Sequence, residues 1–102
     1  MEITLQYFDG CPNWEVTAAH LRELIAQHQA NASLHLQLID TPEAAEIHGF
    51  RGSPTVLVNG NDPFADPGAP VGLSCRVYVT PDGLAGSPTR DQLSKVIQTA
   101  EA

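Results

Sequence analysis

Basic residues are scarce in this chain. Five Lys and Arg stand against twelve Asp and Glu in 102 residues, for a net charge of −7. A phosphate-binding groove needs clustered Lys and Arg, so neither nucleic acid nor an anionic membrane surface is an expected partner. No apolar run approaches the roughly 18–20 residues that span a bilayer. A glycine-rich phosphate loop and a nucleophile elbow are both missing. Four histidines have no metal spacing among themselves; His20 and His28 are about two helical turns apart, too far for one ion. No resident cofactor is expected. Met1-Glu2-Ile3 opens as a strand rather than as a basic and then apolar leader, so no signal peptide is expected and the cytoplasm is the default location. There are only two cysteines. In that compartment they point to reactivity or metal binding rather than to a structural staple.

What remains is an ordinary core-forming composition, 42% hydrophobic over a length suited to one domain. Ile3, Leu5 and Tyr7 alternate with polar neighbours as in a strand, which Asp9-Gly10 ends. Pro12 suits the first turn of a helix. Trp14, Ala18, Leu21, Ile25 and His28 form its apolar face, with Leu24 widening it, and the helix runs out near 29–31. A second strand is expected over 34–39. Thr41 is set to cap a short helix over 42–48 that begins with Pro42 and stops at Gly49. Strands over 54–59 and 75–80, a turn at Pro81-Asp82-Gly83, and a helix capped by Ser87 with Leu93, Val96, Ile97 and Ala100 buried complete the chain.

The expected order is β-α-β-α-β-β-α. A strand–helix–strand start requires a parallel pair, and two later strands with no helix between them most simply form an antiparallel hairpin. The fold class is therefore α/β, a central four-stranded mixed sheet with helices on both faces. Residues 60–74 are too long for a tight turn and carry three prolines and three glycines. Phe64, Val71 and Leu73 give this stretch something to tuck in, so an ordered flap is expected.

Cys11 is the leading candidate for chemistry. At the start of a helix its sulfur faces unpaired backbone N–H groups and the positive end of the helix dipole. Both favour thiolate, the nucleophilic and soft-metal-binding form, whereas Asp9 would oppose it if close. Cys75 is either its partner or a buried structural cysteine. A simple antiparallel hairpin, rising about 3.3 Å per residue, would leave the two sulfurs more than about 10 Å apart. A disulfide needs Cα atoms within about 7 Å. Only a flap that folds Gly72-Leu73-Ser74-Cys75 back over the groove would bring them together, and both arrangements stay open.

Gly49-Phe50-Arg51-Gly52-Ser53-Pro54-Thr55 resembles the thioredoxin segment that leads into its cis-proline strand. Gly86-Ser87-Pro88-Thr89-Arg90-Asp91-Gln92-Leu93 resembles the glycine and capped helix that close that fold. Tyr7-Phe8-Asp9-Gly10-Cys11-Pro12-Asn13-Trp14 and residues 62–76 resemble a group of small bacterial thioredoxin-like proteins often given an alkylmercury-lyase-type label. The resemblance implies a thioredoxin-like fold with Pro54 in the cis form. It also implies a groove bounded by Pro12, Trp14, Ser53 and Pro54 and flanked by Arg51, and thiol–disulfide chemistry at Cys11 on a protein or small-molecule thiol or disulfide. The chain departs from thioredoxins where Trp14 replaces the second cysteine of the active site, so a mixed disulfide would need Cys75 or another thiol to resolve it.

Two other expectations stand beside this one. Cys11 and Cys75 could share a soft metal such as mercury, with Asp9 supplying a proton in a lyase-type reaction. Alternatively, the chain is a redox-inert module that binds a partner through the groove or the flap.

Overall fold

Strand β1 (Glu2–Tyr7) is the centre of a small mixed sheet in the computed structural model, which describes residues 1–27 and 31–101. Beside it lie β2 (Ser33–Leu38), parallel, and β3 (Thr55–Val58), antiparallel. Helix α1 (Asn13–Gln27) connects β1 to β2, and α2 (Pro42–His48) leads towards β3. Beyond the flap come β4 (Tyr78–Thr80), β5 (Gly83–Ala85) and α3 (Arg90–Glu101). The described residues thus form a mixed α/β fold with three helices.

Among the described residues the expected four-stranded central sheet is not formed. Three strands make one sheet in the order β2-β1-β3, and β4 pairs with β5 in a separate antiparallel hairpin. The strand expected over 75–80 shortens to Tyr78–Thr80 because residues 74–76 are engaged elsewhere. Pro81-Asp82 turns the chain between Thr80 and Gly83, which face each other across the hairpin.

Alternation on β1 sends Ile3 and Leu5 into the core, where both are fully buried. There they meet Ala18, Leu21 and Leu24 of α1, Val56 and Val58 of β3, and Leu93 and Ile97 of α3. Trp14 and Ile25 pack at the margin of this cluster. His28, assigned to the same helical face, and Gln29, where the helix was expected to run out, lie outside the described residues. Ala100 is exposed rather than buried. A second cluster of Ile39, Ala45 and Phe50 anchors α2, with Phe8 and Val71 against it.

The helix ends follow from local chemistry. Thr41 accepts a hydrogen bond from Ala44 N–H at 3.0 Å, Pro42 opens α2, and Gly49 closes it in the left-handed region at φ 61°. The cap of α3 is Thr89, not Ser87. Thr89 Oγ1 accepts from Gln92 N–H at 3.1 Å while Gln92 Oε1 accepts from Thr89 N–H at 2.9 Å, a reciprocal capping box.

Candidate functional site

Cys11 and Cys75 are joined in a disulfide, with Cα atoms 5.6 Å apart. Of the two arrangements left open by the sequence, the one that folds the flap back over the groove is realised. Residues 74–76 do not start a strand antiparallel to β3; they run parallel beside Ser53. Ser53 N–H donates to Ser74 O at 2.8 Å, and Arg76 N–H donates to Ser53 O at 3.0 Å. The long connection leaves the pairing register free of any turn geometry, so these two bonds set it instead.

Ser53 is held from the other side as well, its Oγ accepting from Phe8 N–H at 3.3 Å. The Ser53–Pro54 peptide is cis, and the Tyr78 hydroxyl donates to Pro54 O. Ser53, Pro54 and Thr55 are all buried. Gly52 makes the close approach possible. Its φ is +123°, and a Cβ there would stand 2.9 Å from Arg76 Cβ and 3.2 Å from Arg76 N.

The two cysteines have unlike surroundings. Cys11 is completely buried and its N–H donates to Phe8 O at 3.4 Å, two residues ahead of α1. Cys75 is exposed. Within the bridge Cys75 is thus the residue on the solvent side, while Cys11 lies in the interior just ahead of the positive end of α1.

The flap is anchored by two arginines. Arg51 donates through Nη1 to the carbonyls of Asp66, Pro67 and Ala69, with the Pro67 bond at 2.9 Å. Arg76, not among the residues expected to carry the site, forms a knot under it. Its Nη1 lies 2.7 Å from Asp62 Oδ2 and 3.1 Å from Thr55 Oγ1, its Nη2 donates to Phe64 O, and its guanidinium sits 4.7 Å from the centre of the Tyr78 ring. Phe64 meets that ring edge-on at 5.5 Å. Burial pushes the Tyr78 phenol well above its ordinary value; Arg76 offsets part of the shift and Asp62 adds to it. The available signal was a single basic residue in an otherwise uncharged run, Cys75 to Thr80, with an acid fourteen residues earlier.

The remaining candidates differ in exposure and in partners. Pro12 and Asp9 are exposed. Trp14 stacks on Tyr7 with ring centroids 4.2 Å apart and packs against the main core. Leu73, expected to tuck in, is 37% exposed. Among the described residues no group of three or more His, Cys, Asp or Glu is placed to hold a metal ion. No helix among them is long and apolar enough to cross a membrane. Gly86 abuts Asn13 at the start of α1, where a Cβ would come within 2.1 Å of the amide. No protein-family model matches the chain, and neither does any curated protein.

Proposed function

We propose that this protein is a thioredoxin-like thiol–disulfide exchange protein whose redox pair is Cys11 and Cys75. One observation carries the reading: a disulfide links a buried cysteine ahead of a helix to an exposed cysteine beside the cis Ser53–Pro54 peptide. Cys75 supplies the second thiol that Trp14 displaces from the usual position. The sheet order β2-β1-β3 with β3 antiparallel, and α1 and α3 sharing one core, support the fold assignment. In the cytoplasm, where we place it, disulfides are characteristically transient and catalytic or redox-sensing.

The exchange is balanced as follows. A substrate thiolate attacks Cys75 Sγ, the Cys11–Cys75 bond breaks, and Cys11 leaves as a thiolate. A second thiol attacks the substrate sulfur of the mixed disulfide and releases Cys75. The protein gains two electrons and two protons, and the substrate leaves as a disulfide. Run backwards, the same steps reduce a substrate disulfide.

Equilibration in dithiothreitol or glutathione redox buffers, followed by alkylation of free thiols, measures the midpoint potential. Exchange-active disulfides lie above about −300 mV and structural ones below it. The expected value is on the exchange side, and Cys11→Ser traps a mixed disulfide at Cys75 that mass spectrometry detects. A potential below that boundary with no trapped adduct leaves the redox-inert, partner-binding module.

A second reading draws on the same convergence. Once reduced, two thiolates on residues with Cα atoms 5.6 Å apart suit a soft ion such as mercury. Tight mercury binding by the reduced wild type, lost in Cys75→Ser, is the result that would favour it.

A further inference from the structure

A cavity of about 210 Å³ opens beside the exposed end of the disulfide, lined by Cys75, Ser74, Arg51, Asp66, Pro70 and Arg76 among others. It is smaller than the roughly 300–1,000 Å³ of sites that enclose drug-sized ligands, a size for something near a single amino acid. Cys75 lines it and Cys11 does not.

The charges around it are unequally used. Arg76 is committed to Asp62, Thr55 and the Phe64 carbonyl. Arg51 engages the flap through Nη1 alone, leaving Nε and Nη2 outside that set of bonds. Asp66 accepts from Gly68 N–H through Oδ1 at 3.0 Å. Among the described residues the ion pairs are Arg76–Asp62 and Arg90–Glu23, so Arg51 and Asp66 border one cavity without pairing with each other. The wall beside Cys75 thus presents one cation and one anion.

We infer that this cavity selects a small zwitterionic thiol, its carboxylate on Arg51, its ammonium on Asp66 and its sulfur delivered to Cys75. The inference rests on the exchange reading above and names the substrate class for the same site. The bond changes are those already written: the ligand thiolate bonds to Cys75 Sγ, Cys11 leaves as thiolate, and a second molecule releases the ligand as its disulfide.

The test compares four thiols reducing the full-length oxidised protein: cysteine (both charges), cysteamine (cation), 3-mercaptopropionate (anion) and 2-mercaptoethanol (neutral). Rates are corrected for thiolate fraction and nucleophilicity. Two partly exposed charge contacts correspond to an advantage of about fivefold or more for cysteine over 2-mercaptoethanol. Asp66→Asn keeps the acceptor for Gly68 N–H and removes the charge. It should slow cysteine and cysteamine while sparing the other two. Arg51→Gln should slow cysteine and 3-mercaptopropionate selectively, whereas a merely loosened flap would change all four rates by one factor. Corrected rates that are equal across the four thiols would overturn the inference and leave the exchange reading intact. A disulfide that none of them reduces would overturn both.

Discussion

Ser53 and Cys75 lie side by side on parallel backbone segments, with Ser53 bonded through both its N–H and its C=O to the residues flanking Cys75. This pairing delivers the second sulfur to the first, and it joins the end of the flap to the strand that follows Pro54. The disulfide then closes the chain over 64 residues of separation.

Breaking that closure should loosen the whole domain. Reduction, or Cys75→Ser, is expected to lower stability by about 2–4 kcal/mol, mainly through the greater freedom of the unfolded chain. Urea unfolding of oxidised and reduced protein measures the difference. Indistinguishable midpoints would mean that the bridge constrains nothing.

The Arg76–Asp62 pair is poorly exposed, with side chains 8% and 20% accessible. Asp62→Ala leaves the guanidinium with Thr55 and the Phe64 carbonyl but without its counter-charge. A loss of about 3 kcal/mol is expected for a pair of this burial. Arg90→Ala, which breaks the exposed pair with Glu23, should cost under about 1 kcal/mol. Thermal denaturation of the two variants side by side tests the contrast.

Gly52→Ala places a methyl against Arg76 at a φ that side chains rarely adopt. Strain of this kind costs about 1–3 kcal/mol. It also pushes residues 74–76 away from Ser53, so re-formation of the disulfide after reduction should slow more than in a variant destabilised equally elsewhere. Stopped alkylation during air or glutathione reoxidation reads this directly.

The Tyr78 phenol resists ionisation because it is buried, donating to Pro54 O. In the unfolded chain it titrates near the ordinary value of about 10. The unfolded state then holds fewer protons than the folded state above that pH, so stability is fully present below it and falls as pH rises further. Tyr78→Phe removes this alkaline loss. At neutral pH it leaves the Pro54 carbonyl without its donor and should cost about 1–3 kcal/mol. The gap between wild type and variant is therefore expected to narrow above pH 10, which denaturant titrations at pH 7 and pH 11 would show.

Features set by neighbouring residues were legible in the sequence. Thr41, Pro42 and Gly49 bound α2 as their types require, and the alternation of Ile3 and Leu5 placed β1. The Thr89–Gln92 box was also present in the letters, but Ser87 offered a competing cap two residues earlier. Features set across the chain were not legible. Nothing local to Cys75 states which residue it lies beside, because a connection without a tight turn imposes no register. Nor does anything local to Arg51 state that its guanidinium reaches the carbonyls at 66, 67 and 69. The separation of β4 and β5 from the main sheet follows from the same freedom, since three-residue strands carry too little alternation to announce a partner.

Along 75–80 the chain shows a strict two-residue rhythm, with Cys75, Val77 and Val79 outward and Arg76, Tyr78 and Thr80 inward. The length of the preceding connection is therefore constrained more tightly than its composition. One residue added or removed there, if taken up as a slip, would turn the sulfur to the interior and expel the guanidinium into water. An even-numbered change would keep the sides and alter only how far the thiol reaches.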